Sequence, residues 1–390
     1  MDLEAFAGSP AGVLVPISGT DPRTGDHFDH KAFVPHPLPQ ETPGLSQETW
    51  EVVTRASLAL GRLDQAGHQV PNPRLLQRPS VRREAVSTSA LEGTYAPFKD
   101  VLEADVEEAE AEPSPALHEV LNYVRVAELA LDWVTERPVT VGMLSDLQRL
   151  LVQGTASETR DAGRIRETQV VVGAEGSRVQ DARYVPPPPG DQLRAGFDEW
   201  ERWLVGHQMD PVVAVALGHY QFEALHPFSD GNGRLGRLVV VLQLLRSGVL
   251  HHGLLTISPW LEQRRPEYQD HLLRVSQTGD FDPWIRFMAQ AIHERADAAS
   301  SQVEQLLRFG QSMNDLSRTY PLRGVAAAIA QDLIGRPIVT PSAASRLYGV
   351  SYQAANKAMS RLVEAGVLRE LTGRTYGRIF AAEQVLAIIE

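Results

Sequence analysis

His226-Pro227-Phe228-Ser229-Asp230-Gly231-Asn232-Gly233-Arg234-Leu235-Gly236-Arg237 decides how the rest of this chain is read. Twelve residues hold a titratable base, an acid, a Gly-Asn-Gly turn and two arginines, a set suited to a polyphosphate. Gly231 and Gly233 lack a Cβ and tolerate φ > 0, so the backbone there can turn its N–H groups onto an anion. Arg234–Ser247 (RLGRLVVVLQLLRS) is apolar with helical spacing and follows directly. The N–H groups and positive dipole end of that helix would point at the same anion. Arg234 and Arg237 are neighbours on one helix face, and guanidinium matches phosphate oxygens. Asp230 offers a hard oxygen for a Mg²⁺ that bridges phosphates. His226 titrates near neutrality and can take a proton from an attacking hydroxyl.

Two other readings compete. Gly231–Gly236 also fits G-x-G-x-x-G, but a dinucleotide site needs a strand before it and an acid about twenty residues on. The preceding Pro211–Leu225 is helical in pattern, and Leu250–Leu255 contains no acid. The second is a polar turn between helices with a satisfied histidine, which does not account for the whole constellation.

The pattern His-x-Phe-x-Asp-Gly-Asn-Gly-Arg-x-x-Arg is complete here and resembles the signature of the Fic family. That resemblance implies transfer of AMP from ATP onto a protein hydroxyl. It casts His226 as catalytic base, Asp230 as metal ligand, and Gly231, Asn232, Gly233, Arg234, Leu235, Gly236 and Arg237 as the nucleotide-binding set, with Phe228 anchoring the loop. ATP and Mg²⁺ are the implied substrate and cofactor. Another nucleotide or phosphocholine donor stays open, since the motif does not exclude it.

Composition narrows the class. The chain has 390 residues, 43% hydrophobic, enough for two or three domains and a sizeable core. A net charge of −12 argues against non-specific coating of nucleic acid. Zero cysteines exclude disulfides, thiolate metal sites and a cysteine nucleophile. The N-terminus MDLEAFAGSP reads as no secretory signal, and no apolar run is long enough to span a membrane. No membrane association and a cytoplasmic location are the expectations.

In order along the chain, 1–45 reads as an extended, Pro- and Gly-rich arm lying on the core or loosely ordered, and Trp50–Ala66 as a helix. Ser80 is expected to cap a helix over Val81–Leu91, closed by Gly93. Thr88 and Glu92 on that helix share a face, which by itself means only a helix end. The resemblance adds that Fic proteins often carry an inhibitory Ser/Thr-x-x-x-Glu-Gly/Asn, and Thr88, Glu92 and Gly93 fill its defined positions. A carboxylate beside Arg237 would occupy the guanidinium meant for the γ-phosphate and leave ATP out of line. The same glutamate serves AMP removal in some family members.

Glu103–Glu112 is an acidic run with no ligand spacing for a metal. Ala116–Thr135 and Thr140–Val152 read as helices. Gly163–Pro189 breaks the pattern, with Thr168–Val172, a turn over 173–177 and Ala182–Val185 reading as a β-hairpin before four prolines. In Fic proteins a flap here, 163–186, holds a protein substrate by strand addition. Leu193–Leu204, Pro211–Leu225 and Trp260–Arg274 are further helices. His219 is read as a core or surface histidine with no catalytic role, Tyr268 and Trp260 as aromatics that either pack in the core, the commoner fate, or stack on adenine, and His251-His252 as surface. Ile285–Leu307 continues as a long helix.

From Pro321 to Glu390 there are eight Lys/Arg and five Asp/Glu, net +3, which leaves −15 for the rest. A short helix from Thr340-Pro341, a turn at Gly349, a helix over Ser351–Glu364 and strands at Leu368–Leu371 and Tyr376–Phe380 resemble the winged-helix tails of many Fic proteins. Gln353, Asn356, Lys357 and Arg361 would face DNA through 340–380, although the same fold also docks proteins. The expected fold is mainly α: an N-terminal helical region (1–112), a helical Fic core with a β-hairpin flap (113–310) and a winged helix-turn-helix (321–390). Two function classes follow. One is an adenylyltransferase inhibited by Glu92, within its chain or across a homodimer, and able to modify itself. The other is a nucleotide-sensing DNA-binding regulator.

Overall fold

The computed structural model describes residues 1–20, 25–70, 72–106, 112–173, 178–320, 322–373 and 377–390. The arm expected either to lie extended on the core or to be loosely ordered is a regular element packed on the core. β1 (Gly12–Thr20) and β2 (His27–Pro35) form an antiparallel hairpin in the register Gly12↔Pro35 to Thr20↔His27. The end of β2 is buried on both faces, Phe33 against Phe6 and Tyr184 and Ala32 beside Val179, Ala182 and Val185.

α1 (Gln47–His68) starts at Ser46, whose side chain accepts from the Thr49 N–H. α2 runs Pro73–Leu91 and so begins earlier than the Ser80 cap expected from the sequence. Pro73 sits in its first turn, where a missing N–H costs nothing. Pro79 lies inside the helix and cannot donate to Leu75 O; Ser80 instead donates its hydroxyl to Leu76 O. Gly93, at φ 94°, closes it. α3 (Phe98–Ala104) takes up the start of the acidic run, while its residues 107–111 lie outside the described residues. α4 (Pro115–Trp133) and α5 (Val141–Val152) match expectation, capped by Ser114 and Thr140.

The flap is a correction. Val172 and Tyr184 exchange both backbone hydrogen bonds, at 2.9 and 3.0 Å, as an isolated bridge with a 3₁₀ turn at Val179–Asp181. Continuing this register would set Val170 against Pro186 and Thr168 against Pro188. Prolines donate no N–H, so the ladder stops. The expected turn over 174–177 lies outside the described residues.

α6 (Asp191–Gly206) leads to α7 (Pro211–Leu225), capped by Asp210, and then α8 (Asn232–Arg246). α7 and α8 are apolar nearly all round, which places them at the centre of the molecule. Two tryptophans use α7 carbonyls: Trp200 Nε1 donates to Gly218 O and Trp284 Nε1 to Ala216 O, both at 2.8 Å. The helix expected over Trp260–Arg274 is two, α9 (Ser258–Gln263) and α10 (Arg265–Thr278), broken at Arg264 ahead of Pro266. α11 (Asp282–Thr319) lies along α1 and reaches past the expected core boundary at 310.

The C-terminal region begins with α12 (Val325–Asp332) and β3 (Ile338–Val339). α13 (Pro341–Tyr348), a left-handed Gly349 and α14 (Tyr352–Glu364) follow. β4 (Arg369–Glu370) and β5 (Phe380–Ala381) complete an antiparallel sheet ordered β3-β5-β4, and α15 (Glu383–Ile389) ends the chain. β4 and β5 are shorter than the strands expected at Leu368–Leu371 and Tyr376–Phe380, and 374–376 lie outside the described residues. Gln353, Lys357 and Arg361 are exposed on α14, while Asn356 Oδ1 accepts from Arg378. A continuous apolar cluster runs from Phe6 through α7 and α8 to Ile389, so the three regions share one core. Among the described residues no helix is long and apolar enough to cross a membrane.

Phe33→Ala should lower unfolding stability by about 3–5 kcal/mol, the usual loss for a buried phenylalanine. It should also speed proteolysis within 163–186, because β2 packs directly on that segment. Chemical denaturation and limited proteolysis check both.

Candidate active site

α7 ends where the motif begins. His226 has φ 49° and ψ 60°, the one positive φ on a non-glycine among the described residues. That conformation closes the helix, with the His226 N–H on Phe222 O at 2.9 Å, and for a non-glycine it costs on the order of 1 kcal/mol. Arg166 supports it. Its Nε donates to His226 O at 2.8 Å, Nη1 to Thr168 O at 3.1 Å and Nη2 to Pro187 O at 2.6 Å. Burial pushes the pKa of Arg166 down to about 10, partly offset by Tyr184, so it stays charged at neutral pH. The sequence showed Arg166 only as a flank of the flap. That it ties the flap to the backbone of the base is a tertiary fact.

The His226 ring keeps a small share of its surface open, and the protein around it lowers its pKa to about 4. Burial is the main cause, with the Arg166 cation adding to it and Glu92 and Asp230 opposing. Nδ1 is buried towards the Glu223 carbonyl without reaching good hydrogen-bond geometry. A proton on Nδ1 leaves Nε2 as the acceptor. A cavity of about 400 Å³ opens beside the ring, lined by Tyr184, Tyr220, Glu223, Arg265 and Leu272 among others. Burial raises Glu223 to about 8, with Glu92 raising it and Arg237 lowering it, so it is mostly protonated at neutral pH.

The turn after His226 is built by Asn232, whose Oδ1 accepts from the Phe228 N–H at 2.9 Å and whose Nδ2 donates to Phe228 O at 2.8 Å. The Asn232 side chain is therefore spent on the loop and leaves only its backbone for an anion. Phe228 is fully buried. Gly231, at φ 83°, precedes α8, and a Cβ there would meet Leu151 at 2.9 Å. Two expected nucleotide contacts are corrected. Leu235 is buried in the core and its N–H donates to Gly231 O. Gly236 lets α8 close on α7, since a Cβ would meet Glu223 Oε1 at 2.5 Å. Tyr268 is corrected too: its hydroxyl bonds His219 Nε2 at 2.8 Å and its buried ring stacks on His219, so it offers no face to a base. His219 is a core residue, pushed down to about 3 by burial.

Asp230 remains partly exposed. Ser157 Oγ and Arg234 Nη2 donate to its carboxylate, and Gln148 Nε2 donates to its carbonyl. Arg234, nearly buried, also faces Glu119 Oε2, which accepts from Thr94. Ser157, Gln148 and Glu119 carry no signal in the sequence, because they lie far from the motif.

The decisive contact joins α2 to α8. Arg237 is 2% exposed; its Nε donates to Thr88 Oγ1 at 2.7 Å, and Nη2 donates to Thr88 O at 3.0 Å and Glu92 Oε1 at 2.6 Å. Burial works against this cation, but Glu92, with Glu223 behind it, more than offsets that and raises its pKa. A Cβ on Gly233 would come within 2.1 Å of Glu92 Oε1 and 2.9 Å of Arg237 Nη1. The Glu92 carboxylate thus lies against the backbone of the glycine cradle at the N-terminus of α8, a place that favours an anion. Gly93 carries no contact to the site and serves to close α2.

Two family comparisons coincide with this geometry. Residues 50–132 match the Fic/DOC family N-terminal region, and residues 138–244 match the Fic/DOC family. The chain carries a Fic/DOC N-terminal region followed by a Fic/DOC domain. A protein adenylyltransferase Fic of Drosophila grimshawi is 36% identical over 140 residues, 35% of this chain and 26% of that protein. The one of Culex quinquefasciatus is 36% identical over 142 residues, 35% of this chain and 25% of that protein. This chain thus spans about a quarter of the length of these relatives. A Fic family protein from Desulfovibrio desulfuricans G20 shares the fold, with TM-score 0.56 and 21% identity over 88% of this chain and 98% of that one.

Glu92→Gly removes the charged partner of Arg237. The expected loss of stability is about 1–2 kcal/mol, below the roughly 3–5 kcal/mol of a fully buried pair. Glu92 is 39% exposed and Thr88 still holds the guanidinium. Denaturant midpoints of the two proteins check it.

Proposed function

We propose that this chain transfers AMP from ATP to a Ser, Thr or Tyr hydroxyl of a protein, and that Glu92 holds it in an inhibited state. The observation that carries the reading is the Glu92 carboxylate on Arg237 and against Gly233, next to a histidine kept neutral at the mouth of a cavity. The names of the relatives in Drosophila grimshawi and Culex quinquefasciatus support the chemistry.

The target hydroxyl oxygen attacks the α-phosphorus while His226 accepts its proton. The new O–P bond forms as the bond to the bridging oxygen breaks, and pyrophosphate leaves. The free backbone N–H groups of the glycine cradle and the Arg234 and Arg237 guanidiniums face the developing negative charge. Asp230, with a partly exposed carboxylate beside Arg234, is suited to hold a Mg²⁺, which would neutralise charge on the phosphates. With Glu92 in place, the γ-phosphate competes with a carboxylate for Arg237, and the triphosphate sits out of line. The bridge at Val172 and Tyr184 leaves neighbouring flap residues to receive a target strand.

A second reading rests on the exposed Gln353, Lys357 and Arg361 face of α14, which is suited to DNA phosphates and base edges. Gel-shift titration with duplex DNA at two salt concentrations tests it; affinity that is absent at low salt rejects it.

With α-labelled ATP and Mg²⁺, Glu92→Gly should label itself or a lysate protein strongly, wild type weakly, and Glu92→Gly/His226→Ala not at all. Equal labelling by wild type and Glu92→Gly would remove the inhibitory role, and labelling by the double variant would remove His226 as base. If bound nucleotide gives no label, CTP, GTP, UTP and phosphocholine donors follow, and release of AMP from a modified protein tests the reverse activity.

The pH profile carries a separate expectation. A base acts deprotonated, so a pKa lowered to about 4 puts the acid limb far below the ordinary histidine value of 6.5. In Glu92→Gly, kcat/KM should stay flat from about pH 8 to about pH 6. A half-maximal point near the ordinary value would mean that the free enzyme does not bury the ring as described.

A further inference from the structure

Asp64 and His68 lie one turn apart on α1, and His251 and His252 lie in the segment that leaves α8. In the sequence they are nearly two hundred residues apart, and His251-His252 reads as plain surface there. The fold joins them. His251 Nδ1 is 3.0 Å from Asp64 Oδ2 and 3.2 Å from Oδ1, and His68 Nε2 is 3.3 Å from Oδ2. The His251 N–H also donates to Asp64 Oδ1 at 2.8 Å, which fixes the carboxylate, half-buried, under the two exposed rings. One ligand atom from each of Asp64, His68 and His251 falls within 4.8 Å of the others. The third ring, His252, has its centroid 5.3 Å from that of His68. It rests on Gly67, where a Cβ would come within 3.0 Å of its Cδ2.

We propose that Asp64, His68 and His251 form a zinc-class cation site, with His252 or water as a fourth ligand, that clasps α1 to the segment following α8. Three arguments carry it. Two imidazoles and a carboxylate are the nitrogen–oxygen set that borderline divalent ions prefer and that Mg²⁺ and Ca²⁺ do not. Ligands about 2.0–2.1 Å from a tetrahedral ion stand about 3.3 Å apart, close to the spacing between the carboxylate and each ring. The site is also preformed, because the His251 N–H fixes the carboxylate while exposed rings can turn onto an ion without unfolding anything. The ion would cross-link the region matched by the Fic/DOC N-terminal family to the segment that follows the core helix carrying Arg234 and Arg237. The site stands apart from the proposed chemistry and does not depend on it.

The test uses the full chain without an affinity tag, freed of metal by chelation, and Zn²⁺ as the probe. Calorimetry should show one equivalent bound with micromolar or tighter affinity in the presence of millimolar Mg²⁺, and Zn²⁺ should raise the melting temperature. His68→Ala and His251→Ala should each weaken binding at least about tenfold, and Asp230→Ala should leave it unchanged. Circular dichroism confirms that the variants fold. The proposal is overturned if wild type binds no Zn²⁺ at micromolar concentration, or if His68→Ala/His251→Ala binds it as tightly as wild type. Either result leaves two histidines hydrogen-bonded to one aspartate and nothing more.

Discussion

A buried guanidinium governs this structure. Arg237 sits 2% exposed in the first turns of α8, where an unpaired cation would be costly and where the helix end itself favours anions. Its charge has to be met by protein or by ligand. In this state α2 meets it, through the Thr88 hydroxyl and carbonyl and the Glu92 carboxylate. α2 is held in turn by buried polar contacts of its own. Glu84 accepts from the Ser258 N–H and hydroxyl, and Arg82 pairs with Asp105 and Glu128. A carboxylate can therefore reach the glycine cradle only because a whole helix is anchored at several points along its length.

The second constraint is the left-handed backbone of His226. A glycine would adopt it freely, but the chemistry needs an imidazole, so the strain must be held from outside. Arg166 does this with three carbonyls, and those carbonyls belong to the base and to both sides of the flap. Among the described residues the flap has one bridge of its own, so it leans on neighbours. The Phe33 N–H donates to Val185 O, and Ala32 packs with Val179, Ala182 and Val185. The N-terminal hairpin, which looks like an extended arm in the sequence, thus serves as the backing of the flap.

The helices were legible where apolar period and caps agreed. Thr140 caps the helix it was expected to open, and the apolar helical spacing of Pro211–Leu225 and Arg234–Ser247 marked α7 and α8. Boundaries failed where local chemistry pulled both ways, as at Pro79 inside α2 and at Arg264 between α9 and α10. The β pairing of 12–35 was not legible, since its pattern differs little from that of an extended coil. The flap was misread for the opposite reason: β-branched residues promised a strand, but the prolines opposite supply no donors.

By itself the sequence determined a largely helical chain, the polyphosphate turn from His226 to Arg237, and the resemblance that made Thr88 and Glu92 worth noticing. These signals are local, because a turn, a cap or a helix face is set by residues within a few positions of one another. Only the tertiary structure decided which motif positions face the cleft. It sent Leu235, Gly236 and the Asn232 side chain into packing and loop bonds, and it left Tyr268 stacked on His219. It brought Ser157 and Glu119 to the arginine and the acid, and Asp64 to His251. Those choices depend on which faces of distant helices meet, and a linear chain carries no record of that distance.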